Sequence, residues 1–116
     1  MIKSSEFIKG YTEIIVCALL MDGDDYIYNL VKKINNHNSG CIQISNPSML
    51  MIMKKLTLEG KVSSYIKTST MGADRRYYKL TDIGIKFYKE NVIGFIESIE
   101  TLKELVLGDM NYGSKD

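Results

Sequence analysis

From residue 88 onward, apolar side chains recur at alternating intervals of four and three: Tyr88, Val92, Phe95, Ile99, Leu102 and Val106. An α-helix gathers positions so spaced onto one narrow stripe, and sustained alternation marks a helix-on-helix seam. The stripe covers about 19 residues and roughly 27 Å at about 1.5 Å per residue, more than a small domain needs from one helix for its own core. A chain of 116 residues closes one core, so part of this helix is expected to project from it. Packing against a second copy of the chain is the expected use, and folding back on the chain's own helices is the alternative. Thr81 and Asp82 suit the start of this helix, the first as a cap and the second as a charge near its positive end. The helix is expected to reach Gly108, leaving residues 109–116 as a frayed tail.

Upstream, the apolar residues Phe7, Ile8, Tyr11, Ile14, Ile15, Ala18 and Leu19 predict an amphipathic helix over residues 6–21. After the turn at residues 22–25, Tyr26, Ile27, Leu30, Val31 and Ile34 continue the helical period to about Asn35. A polar loop holding the single histidine, His37, leads to residues 41–44, whose alternation predicts a short edge strand. Ser45, Asn46 and Pro47 form a strong helix start. In the helix that follows, Met49, Ile52, Met53 and Leu56 make a buried stripe, while Ser48, Met51, Lys54 and Lys55 point elsewhere. Gly60 is placed to end it in the left-handed conformation. Residues 61–68 and 75–80 then read as two strands joined by a flexible tip, with Tyr78 and Leu80 facing the core and Arg75, Tyr77 and Lys79 the other side. Three helices, a hairpin and a long helix make a mainly α chain with a small β-hairpin (α+β), the order of a winged helix-turn-helix. Its parts are expected at residues 1–80 (winged helix-turn-helix), 81–108 (dimerisation helix) and 109–116 (tail).

The net charge of +1 conceals an uneven distribution. Between Asn46 and Leu80, Lys54, Lys55, Lys61, Lys67, Arg75, Arg76 and Lys79 are opposed only by Glu59 and Asp74. A basic middle segment in a nearly neutral chain implies a localised surface for a polyanion. Double-stranded DNA is the partner that fits: the third helix for the major groove, the hairpin's Lys67, Arg75, Arg76 and Lys79 for neighbouring phosphates. An enzyme is not expected, because the sequence holds no phosphate-binding glycine loop, nucleophile–base pair or zinc spacing. No cofactor or metal is expected either. Cys17 and Cys41 are too isolated to form a metal site and read as reduced thiols, Cys17 in the core. No apolar run suffices to span a bilayer and no signal peptide is evident at the start, so a cytoplasmic location is expected.

The segment Arg75-Arg76-Tyr77-Tyr78-Lys79-Leu80-Thr81-Asp82-Ile83-Gly84 closely resembles the RRYY-x-LT-x-x-G signature of PadR-like transcriptional regulators. Leu56 to Gly60, followed by Val62 and Ser64, resembles that family's L-x-x-x-G-x-[IV]-x-S, and Tyr28 falls where the family has the tyrosine opening its second helix. The single C-terminal helix is similar to that of the family's short subfamily. The resemblance implies a homodimer held by the first and last helices, including Phe7 and Tyr11, and a DNA surface made of the third helix and wing. It also implies repression relieved by a small ligand or drug. Tyr28, Asn46, Ser48, Met51, Lys54, Lys55, Lys67, Arg75, Arg76, Tyr77 and Lys79 are the candidate DNA-binding residues, with an operator, which can be the chain's own promoter, as target. One departure stands out: where the family usually has S-x-x-T-L-Y, this chain has Ser45 to Leu50, so Leu50 replaces a tyrosine.

Two readings remain open beside this one. A winged-helix module can bind protein partners instead of DNA, its hairpin serving as a docking edge. Within the regulator reading, Val92, Phe95 and Ile99 either form a tight seam or line a space in which a small planar aromatic effector stacks.

Overall fold

The computed structural model describes residues 11–108. Six elements follow in order: α1 (Thr12–Met21), α2 (Ile27–Asn35), α3 (Asn46–Leu58), β1 (Val62–Thr68), β2 (Asp74–Leu80) and α4 (Asp82–Leu107). This is the winged-helix order that the sequence predicts. The part of the first predicted helix before residue 11, with Phe7 and Ile8, and the tail at 109–116 lie outside the described residues.

The three short helices and the base of the hairpin enclose one core. Val16, Cys17 and Leu20 come from α1, Leu30, Val31 and Ile34 from α2, Met49, Met53 and Leu56 from α3, and Val62, Tyr78 and Leu80 from the hairpin. Burial pushes the Cys17 thiol up to about 11, so it stays protonated and inert at neutral pH. At the start of α3, Ser45 Oγ accepts from Ser48 N at 3.2 Å, and Pro47 sits in the first turn, where a missing N–H costs nothing. Gly60, at φ +75°, turns the chain out of α3 and into β1.

β1 and β2 pair antiparallel from Val62 opposite Leu80 at the base to Thr68 opposite Asp74 at the tip. A single further bridge joins Asp25 to Tyr78, with Tyr78 N donating to Asp25 O at 2.8 Å and Asp25 N to Tyr78 O at 3.2 Å. The carboxylate of Asp25 is buried and saturated. It accepts from Tyr26 N (2.9 Å), takes both Asn29 amide contacts (3.0 and 2.8 Å) and pairs with Lys33 (2.8 Å). One residue thus ties α2 to the sheet.

The predicted strand at 41–44 does not form. The side-chain amide of Asn35 occupies the role of a neighbouring strand: its Oδ1 accepts from Ile44 N (2.7 Å) and its Nδ2 donates to Ile44 O (2.9 Å). Gln43 closes the same loop by donating to the carbonyls of Asn35 and Gly40. With its backbone groups satisfied by side chains, the segment has no need of a sheet edge.

α4 starts on Thr81, whose Oγ1 accepts from Gly84 N (3.1 Å) and donates to Gly60 O. Its first turns are part of the core: Gly84 is buried, and Ile85, Phe87 and Tyr88 pack on the cluster. A Cβ at Gly84 would stand 2.1 Å from the Lys61 carbonyl oxygen, so only glycine permits β1 and α4 to approach so closely. Farther along, the heptad stripe divides. Phe95 meets Tyr11 edge to face at 5.0 Å, which takes part of the seam onto α1 of the same chain. Leu102 is 42% exposed and Val106 79% exposed. No helix among the described residues is long and apolar enough to cross a membrane.

Candidate nucleic-acid interface

The buried stripe of α3 leaves the opposite side of the helix, with Pro47, Met51, Lys54 and Leu58, facing solvent. Leu50 lies on the flank nearest the hairpin. There it joins Tyr26, Tyr28, Arg75 and Arg76 in lining an open groove of about 420 Å³ between α2, α3 and the wing. Asn46 and Ser48 are exposed in the first turn, the Ser48 hydroxyl receiving the Ser45 O–H at 2.9 Å. The groove therefore brings together residues from three separated stretches of sequence: Tyr28, Leu50 of α3, and the arginine pair.

The wing presents its cations on an aromatic support. Tyr77 stacks on Tyr65 (5.8 Å between centroids) and meets Tyr26 edge-on (5.3 Å), while Lys67 lies 5.1 Å above the Tyr77 ring and Arg75 4.5 Å above that of Tyr26. Tyr65 donates to Asp24 at 2.7 Å, a bond that raises its pKa and fixes the sheet against the turn before α2. Arg76 donates to Ser64 Oγ at 2.9 Å. Rings hold the flat, cationic ends of the wing in place without neutralising them, leaving the charge available to an anion. Tyr78 is buried and serves the core, whereas Tyr77 is half-buried within this stack.

The basic residues of the middle segment do not all share this surface. Lys55 pairs with Glu13 of α1 and sits 3.9 Å from Glu59, and the bond to Glu13 raises its pKa. Lys61 binds Glu59 (2.8 Å) and Glu13 (3.5 Å) and lies 3.7 Å over the Phe87 ring. Its bond to Glu59 holds that carboxyl below the usual range. Lys55 and Lys61 thus form an ion cluster with α1, on the flank of α3 turned from the groove. Lys54, Lys67, Arg75, Arg76 and Lys79 have no acidic partner within salt-bridge distance among the described residues. Lys79 stands near the hairpin base, opposite Ser63.

Tyr88, Val92, Phe95 and Ile99 of the stripe are half-buried, and Leu102 and Val106 exposed. Phe95 is half-buried, and Tyr11 of its own chain packs against its ring edge to face. Beside that pair a second open groove of about 490 Å³ runs between α1 and α4, bordered by Tyr11, Glu13, Phe87, Glu90 and Phe95. Sequence reasoning did not single out Glu13, Asp24 or Asp25, and read Tyr26 as the start of the apolar stripe of the second helix, where it instead stands before α2 and supports the wing. The spacing of Asp25, Asn29 and Lys33 by four was the available signal for the Asp25 network. Among the described residues there is no cluster of three or more side chains able to hold a metal.

The fold has counterparts among solved structures. A transcriptional regulator from Clostridium thermocellum superposes with a TM-score of 0.77 at 28% identity, covering 88% of this chain and 96% of that one. A PadR-like transcriptional regulator from Bacillus cereus does so with a TM-score of 0.77 at 25% identity, covering 90% and 99%. PadR of Bacillus subtilis, solved in complex with operator DNA, shares the fold with a TM-score of 0.64 at 20% identity, over 71% of this chain and 46% of that one. Residues 16–90 match the model of the transcriptional regulator PadR-like family. Most of the core, the groove and the whole wing lie within that match, and the chain belongs to the PadR-like family of transcriptional regulators.

Proposed function

We propose that this chain is a sequence-specific DNA-binding regulator that places α3 in the major groove and sets the hairpin wing on the adjoining backbone. The observation that carries this reading is the convergence of Tyr28, Leu50 on the flank of α3 and the Arg75–Arg76 pair on one open groove. A helix and a basic hairpin so arranged supply base-edge contact and phosphate contact together. The Bacillus subtilis PadR solved with operator DNA supports the same use of the fold. The test is duplex-DNA binding measured across salt. If the assembled protein neutralises six to ten phosphates, affinity falls about 10³ to 10⁵-fold between about 50 and 200 mM salt. Absence of binding, or binding indifferent to salt, overturns the reading and favours a protein-docking role for the hairpin.

The regulator acts as a homodimer in this proposal, with the exposed Leu102, Leu105 and Val106 of α4 covered by a second copy. Sedimentation of the same preparation reads this directly, and a monomer at working concentration refutes it. Repression released by a small planar aromatic effector completes the proposal. Its support is the groove between α1 and α4, which Tyr11, Phe87 and Phe95 border. Release of bound DNA on titration with such a compound is the outcome expected.

A further inference from the structure

The outer face of α3 is apolar where a polyanion would meet it. Met51 is 65% exposed at the centre of that face, and Leu50, 41% exposed, borders the groove next to Tyr28 and the arginines. Neither side chain is needed by the core, which Met49, Met53 and Leu56 fill from the opposite side. Exposing large apolar groups on a short helix is unfavourable unless a partner covers them. The surroundings identify the partner's charge: Arg75 and Arg76 line the same groove, and Lys54 and Lys67 extend the cationic rim. A partner that is anionic at the rim and apolar at the centre matches the floor of a DNA major groove at A·T pairs. There the thymine 5-methyl is the one apolar group that a base edge presents.

We propose that α3 selects its site by packing Met51 and Leu50 against thymine 5-methyl groups, so that A·T pairs stand beneath its first two turns. This deepens the DNA-binding reading and rests on it. The rest of the face agrees. Guanine is read by paired donors from arginine or lysine, yet Arg75 is seated over Tyr26 and Arg76 is bonded to Ser64, both on the wing. On α3 itself Lys55 is engaged by Glu13, and Lys54 stands in the third turn, beyond the two turns that carry Leu50 and Met51. Asn46, exposed in the first turn, has the amide that suits adenine. Selectivity therefore comes from α3 by shape and apolar contact, and general affinity from the wing.

The experiment separates this inference from the one beneath it. The wild-type protein selects duplexes from a randomised pool, and the enriched duplex is resynthesised with deoxyuridine in place of thymidine. That exchange deletes the 5-methyl and leaves every hydrogen-bonding group unchanged. Binding is expected to weaken about fourfold for each methyl contacted, the value of burying one such group. The penalty should vanish in the Leu50→Ala, Met51→Ala double variant while salt dependence remains. Equal affinity of wild type for the thymidine and deoxyuridine duplexes, with selection over random competitor retained, overturns the methyl reading and leaves DNA binding standing. A penalty that persists unchanged in the double variant also overturns it, since the methyl would then act elsewhere. Failure to enrich or bind any duplex overturns both.

Discussion

The two ends of the hairpin are built to different specifications. At the base, Val62 faces Leu80, both buried, and the surrounding backbone is bonded to Asp25, Gly60 and Lys61. At the tip, Lys67 faces Arg75 across the strands, and both are exposed, as are Ile66, Thr68, Asp74 and Arg76 beside them. Like charges placed directly opposite each other disfavour a sheet, so the tip retains an arrangement that folding alone would discourage. The difference teaches a division of labour along two seven-residue strands: the base carries stability, and the tip carries the exposed charge that the proposed DNA contact would use. Substitutions at one end should leave the property of the other unaffected.

The base should respond most strongly at Gly84. Alanine ordinarily favours a helix by up to about 1 kcal/mol over glycine. Here its methyl would stand 2.1 Å from the Lys61 carbonyl oxygen and 2.8 Å from Leu80 Cδ2. The carbonyl cannot yield without moving β1, so the clash outweighs the propensity gain, and we expect Gly84→Ala to destabilise by about 3 kcal/mol. Denaturant unfolding measures it. A loss below the helix-propensity term would show that the base is looser than its packing implies.

Asp25→Ala comes next. It removes the acceptor for Tyr26 N and Asn29 and the partner of Lys33 while leaving the backbone bridge to Tyr78 intact. Leaving such groups unpaired at a partly buried site costs about 2 kcal/mol. The same unfolding experiment reads it, and a neutral result would mean that the backbone bridge alone joins α2 to the wing.

The base was largely legible in the sequence and the tip only in part. Leu80 and Thr81 sit in a motif whose parts have a local meaning, core side chain and helix cap, while the close approach at Gly84 came from the fold. Alternation likewise separated Tyr78 from Tyr77. Asp25 was legible only through its spacing by four from Asn29 and Lys33, because its burial and its backbone bridge depend on Tyr78, far along the chain. Lys55 pointed outward by helical rotation, as expected, but Glu13 on another helix takes up its charge. Residues 41–44 had the alternation of a strand, yet the Asn35 amide supplied the hydrogen bonds that a strand would have sought. The heptad stripe specified a seam and not its partner, so the contact of Phe95 with Tyr11 had to come from the fold.

The tip should show the smallest effect on stability and a clear one on binding. Arg75 rests on the Tyr26 ring and Arg76 bonds Ser64, contacts at exposed positions that contribute little. Removing Arg75 also relieves its opposition to Lys67. The double variant Arg75→Ala, Arg76→Ala is therefore expected to unfold within about 0.5 kcal/mol of wild type. If both guanidinium groups neutralise phosphates, the slope of log affinity against log salt becomes shallower by about two for each wing engaged, and binding weakens for all sequences alike. The thymine preference proposed for α3 should survive, because no base-reading group has been removed. An unchanged slope would remove the arginines from the phosphate surface. A stability loss approaching that of Gly84→Ala would dissolve the distinction between base and tip, since the charges would then be part of what holds the hairpin together.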